Sequence, residues 1–124
     1  MKRLPDAELE VMKTIWRLGR PASNVEIREN AAGQSWTKQA LHSMLGRLEG
    51  KGFVGIAREG KSPLYHALID RETYLREESK TVLDKLFDGS PKSFMASLVQ
   101  SNTLKDEDLR ELQDFLDEVQ KGRD

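Results

Sequence analysis

Lys38, Gln39, His42, Ser43 and Arg47 are polar residues set three to four apart among small and apolar neighbours. At about 100° per residue, Leu41, Met44, Leu45 and Leu48 fall on one apolar stripe. The opposite face carries Gln39, His42, Ser43 and Gly46, with Ala40 and Arg47 on one flank and Lys38 on the other. These side chains have the chemistry to read base edges. Gln pairs bidentately with adenine, Ser donates or accepts, and Lys38 reaches phosphate or guanine. Thr37 precedes them and suits a phosphate contact shared with the free N–H groups of a helix start. An ordinary solvated face is the competing reading, but such faces mix Glu with Lys, and Glu49 is the only acid in this segment. A second cluster, Arg58, Lys61 and Ser62 around Gly60, suits a narrow turn following a phosphate backbone, although Glu59 at the same tip opposes it.

Presenting these residues requires a particular order of elements. Leu9, Met12, Ile15 and Trp16 give helical periodicity from Asp6 to Leu18, which Gly19-Arg20-Pro21 ends. Ser23 followed by Glu26 is a capping box opening a short second helix that ends by Ala32-Gly33. Thr37 caps the third helix, which stops at Gly50 and Gly52. Phe53–Arg58 and Leu64–Leu68 read as two strands of a hairpin, with Pro63 marking an edge. Three helices and a hairpin in about 65 residues is the order of a winged helix-turn-helix, whose third helix is offered to the major groove. The expected fold is mainly α with one small β-hairpin (α+β), divided into a DNA-binding domain over 1–68 and a helical dimerisation domain over 69–124.

The second half predicts helices over Arg71–Phe87, from Ser90-Pro91 onward, and over Asp106–Gln120. Leu75, Val82 and Leu86, then Phe94 and Leu98, then Leu112, Phe115, Leu116 and Val119 line three apolar stripes. About 55 residues bury so much apolar surface poorly alone. A second copy would cover it and would present two reading helices to a palindromic site; folding back on the first domain is the alternative.

Composition agrees with this division. The net charge is −1, yet residues 1–67 hold 11 Lys/Arg against 7 Asp/Glu, and residues 68–124 hold 9 against 14. The basic half can face phosphate while the acidic half stays off it. Without cysteine the chain forms neither disulfides nor thiolate metal sites. His42 and His66 fall on different elements, so no metal site is expected. No phosphate loop, nucleophile motif or carboxylate pair stands out, so neither catalysis nor a cofactor is expected. No apolar run approaches membrane-span length and no signal core opens the chain, which points to a cytoplasmic protein without membrane insertion.

The chain resembles the penicillinase and methicillin-resistance repressors (BlaI/MecI), a family that includes the copper-responsive CopY relatives. The resemblance rests on Leu4-Pro5-Asp6-Ala7-Glu8-Leu9-Glu10-Val11-Met12 with Ile15-Trp16, on Trp36-Thr37-Lys38-Gln39, and on Leu45-Gly46-Arg47-Leu48-Glu49-Gly50-Lys51-Gly52. It continues through Tyr74-Leu75-Arg76-Glu77-Glu78-Ser79, Gly89-Ser90-Pro91-Lys92-Ser93 and Leu104–Leu116. It implies a winged-helix repressor that binds double-stranded palindromic operators with a TACA/TGTA-type core as a homodimer and controls β-lactamase or related antibiotic-resistance genes. It also implies a membrane sensor protease system that triggers cleavage of an Asn-Phe bond. The matching positions here are Ser97 and Leu98, so that off-switch is in question. Copper sensing through cysteine pairs is excluded, and Ala40 replaces a common Thr on the reading helix. Two other readings stay open: a winged-helix protein-interaction module, and a repressor released by a small-molecule effector.

Overall fold

The computed structural model describes residues 3–58 and 60–123. Helix α1 (Asp6–Leu18) packs Val11, Met12 and Ile15 inward. It ends at Gly19, whose φ of +67° lets its N–H reach the Ile15 carbonyl at 3.1 Å. The capping box forms as the sequence predicts: Ser23 Oγ accepts from the Glu26 N–H, and the Glu26 carboxylate accepts from the Ser23 N–H, opening α2 (Asn24–Asn30). Thr37 Oγ1 accepts the Ala40 N–H at 3.0 Å and opens α3 (Lys38–Gly50). Its apolar stripe of Leu41, Met44, Leu45 and Leu48 is buried against α1 and α2.

Strands β1 (Val54–Ala57) and β2 (Leu64–Ala67) form the antiparallel hairpin, pairing Val54 with Ala67 and Ala57 with Leu64. Both are shorter than their apolar runs. Phe53 is fully buried and donates its N–H to the Leu48 carbonyl, so it belongs to the exit from α3. Pro63 precedes β2 at the edge of this two-stranded sheet. At Tyr65 the strand gains a second neighbour, since Tyr65 and Ala22 exchange backbone hydrogen bonds of 2.8 and 3.0 Å. Gly55 stands opposite His66, whose imidazole occupies the space a side chain at 55 would need. Three helices and this hairpin make a winged helix-turn-helix.

Helix α4 (Arg71–Phe87) follows, then α5 (Pro91–Gln100), capped by Ser90 Oγ, and α6 (Asp106–Arg123), with Asp106, Glu107 and Asp108 in its first turn. Two compact units divide the chain between Glu78 and Ser79, within α4. The first unit extends past the hairpin because Tyr74 is buried, packing its ring against Trp16 and Phe53 at centroid distances of 5.9 and 5.7 Å. Its core runs from Leu4 through Met12, Ile27, Leu45 and Phe53 to Tyr74. In the second unit, Phe87 meets Phe94 edge-on at 4.9 Å, yet none of its described residues is buried.

Candidate nucleic-acid interface

The face opposite the buried stripe of α3 is open. Thr37, Lys38, Gln39, His42, Ser43 and Arg47 are all exposed, with Ala40 and Gly46 among them. The Thr37 cap fixes where this face begins, while the Asn24 side-chain amide donates to the Lys38 carbonyl at 3.2 Å and ties α2 to the first turn of α3. The helix has no acid in its first turn, so its positive N-terminal end is not offset there. Glu49 is exposed in the last turn.

At the hairpin tip Arg58, Lys61 and Ser62 are exposed, and among the described residues none of the three has a side-chain hydrogen bond or ion pair. Glu59 lies outside the described residues. Just behind the tip, by contrast, the second strand is held at Tyr65 by its pairing with Ala22.

Arg47 differs from its neighbours because its Nε donates to Glu8 Oε2 at 3.2 Å. Glu8 is buried on α1 and also accepts from Lys51 Nζ at 2.6 Å, just past the end of α3. Burial pushes the Glu8 carboxyl up, but the hydrogen bonds and charges of Lys51 and Arg47 outweigh it and hold it below its ordinary value. Neither Glu8 nor Lys51 stands out in the sequence as part of a site. Their one signal is that Glu8 shares a helical face with the apolar Val11, Met12 and Ile15, an odd place for a carboxylate.

Of the stripes expected to pair two copies, Leu75 lies on α4 in the first unit and is exposed. Leu86, Phe115 and Leu116 expose 69%, 62% and 56% of their surface, while Val82, Phe94, Leu98, Leu112 and Val119 are half-buried. Ser97 is exposed within α5, where its carbonyl accepts from the Ser101 N–H, so the Ser97-Leu98 bond is helical. Among the described residues no helix is long and apolar enough to cross a membrane.

Residues 4–118 match the family model described as penicillinase repressor. The chain belongs to the penicillinase repressor family. Membership places it among repressors and not among enzymes. It is similar to the penicillinase repressor of Bacillus licheniformis, with 32% identity over 121 residues that cover 95% of this chain and 94% of the relative. It is similar also to the methicillin resistance regulatory protein MecI of Staphylococcus aureus, with 26% identity over 113 residues covering 91% and 92%. Among solved structures it resembles the DNA-binding domain of the repressor BlaI, with 35% identity and a TM-score of 0.50 over 60% of this chain and 94% of that one. That likeness bears out the winged-helix reading.

Proposed function

We propose that this chain is a cytoplasmic transcriptional repressor that binds double-stranded operator DNA as a homodimer and blocks a promoter. The observation that carries the reading is the exposed face of α3, acid-free in its first turn and polar from Thr37 to Ser43, on a domain similar to the DNA-binding domain of BlaI. In this reading Gln39, His42 and Ser43 meet base edges, and Thr37, Lys38 and Arg47 meet flanking phosphates. Arg58, Lys61 and Ser62 at the hairpin tip follow a backbone. A homodimer presents two such faces to the halves of a palindrome. Support for the homodimer comes from the second unit, where no described residue is buried and Leu86, Phe115 and Leu116 stand open. The relatives named for penicillinase and methicillin resistance support β-lactamase or related resistance genes as the regulated class.

Release of the repressor by a membrane sensor protease would require the Ser97-Leu98 bond to leave its helix, since proteases take extended backbone. Ser97-Leu98 in place of Asn-Phe, held within a helix, supports another route of release for this chain, such as a small-molecule effector.

The decisive experiment is selection of bound duplexes from random DNA, followed by light scattering of the complex. Recovery of a palindrome bound by two copies is the expected result. Passage through heparin and random DNA at low salt without retention would overturn the reading and leave a protein-interaction module in its place.

A further inference from the structure

Among the described residues Glu8 is the only buried carboxylate, and the groups it holds both come from the reading helix or its C-terminal cap. Oε1 accepts from Lys51 Nζ and Oε2 from Arg47 Nε. A carboxylate taken out of water demands such partners. The two cations are engaged differently. The Lys51 ammonium is a point charge on a side chain 30% exposed and sits directly on the carboxylate. Arg47 gives up Nε alone, its side chain is 56% exposed, and its two Nη groups have no partner among the described residues. A guanidinium held by Nε still presents its other donors in a rigid fork, the geometry that matches a phosphate.

We propose that Glu8 is a positioning residue for DNA binding. It anchors Arg47 by Nε so that the Nη groups are delivered to one phosphate beside α3, and it neutralises Lys51, which would otherwise attract DNA of any sequence. The inference rests on the DNA-binding reading above. Its physical content is a trade. Cationic charge that binds every duplex alike is withdrawn at the C-terminal end of α3, and a single oriented contact that depends on correct docking is kept. Flexible cations raise affinity for all sequences through counterion release, whereas an oriented fork contributes only in the right register.

Glu8→Gln keeps the shape and an acceptor but removes the charge. Binding of wild type and variant is measured across a salt series on two probes, a duplex selected from random sequence by the wild type and an unselected random duplex. The variant is expected to bind the random duplex more tightly, with a salt slope steeper by about 0.9 for the cation released. Its preference for the selected duplex should fall by about tenfold, the size of one charge-assisted hydrogen bond. In an Arg47→Ala background the same substitution should no longer change the preference. Should Glu8→Gln impair folding, Arg47→Lys is the second test. A lysine cannot hold Glu8 and fork a phosphate together, so preference should drop with Glu8 intact. Equal loss of affinity for both probes at unchanged slope would make Glu8 purely structural and overturn the proposal. An Arg47→Lys variant indistinguishable from wild type would do the same. A wild type that binds neither duplex overturns instead the reading on which the proposal rests.

Discussion

The hydroxyl of Tyr74 accepts a hydrogen bond of 3.0 Å from the backbone N–H of Leu4, and both residues are buried. Seventy positions separate them, so the start of the chain and the start of α4 are closed together over one core. A buried N–H left without a partner costs about 1–3 kcal/mol. Tyr74→Phe keeps the ring contacts with Trp16 and Phe53 and removes only the acceptor. Denaturant unfolding should show a loss of that size with an unchanged slope.

On the proposed reading, the α3 face and the hairpin tip should separate by their response to sequence. Gln39→Ala or Ser43→Ala should weaken binding to a selected duplex by about 1–3 kcal/mol and leave random DNA nearly untouched. Arg58→Ala and Lys61→Ala should weaken both and flatten the salt dependence by roughly one contact each. Titrations by fluorescence anisotropy on the two probes distinguish the classes. If none of the four substitutions lowers affinity, the interface has been assigned to the wrong surface.

The ion pairs of Glu8 make stability depend on pH in a definite direction. Its folded pKa lies below its ordinary value. The contribution is therefore present above the unfolded pKa, about 4.3 for glutamate, and is lost as pH falls through the folded value. Wild type should exceed Glu8→Gln in stability at neutral pH, and the gap should close on acidification below that range. Chemical denaturation at a series of pH values measures the gap; a constant difference would show that the carboxylate's charge is immaterial.

Pairing of two copies is tested on the open apolar surface of α6. Phe115→Asp or Leu116→Asp places a charge on α6 at residues 62% and 56% exposed, so the isolated chain loses little by it. Sedimentation should shift from dimer to monomer, and the wild type alone should show a melting temperature that rises with protein concentration. Unchanged sedimentation for both variants would remove α6 from the interface.

Signals confined to a few neighbouring residues were legible in the sequence. The Ser23/Glu26 box, the Thr37 cap, the glycine stop after α1 and the Ser90-Pro91 start each act through hydrogen bonds or backbone angles that adjacent residues decide. The same holds for the face of α3, because Leu41, Met44, Leu45 and Leu48 leave only one side open. Contacts that depend on distant partners were not legible. Glu8 and Arg47 stand 39 positions apart, and nothing near Ala22 marks it as the partner of Tyr65. The last helix outran its expected end at Gln120 and reaches Arg123, since lysine and arginine in a final turn favour the helix dipole without adding apolar periodicity.

The single pair of backbone bonds between Ala22 and Tyr65 has a consequence for redesign. The hairpin is stapled to the segment ahead of α2, and no side chain on the open face of α3 takes part in the staple. Gln39, Ala40, His42 and Ser43 can thus be exchanged as a cassette without loosening the hairpin. On the proposed DNA-binding reading, specificity and grip are held by separate parts, and one can be rewritten while the other stays as it is.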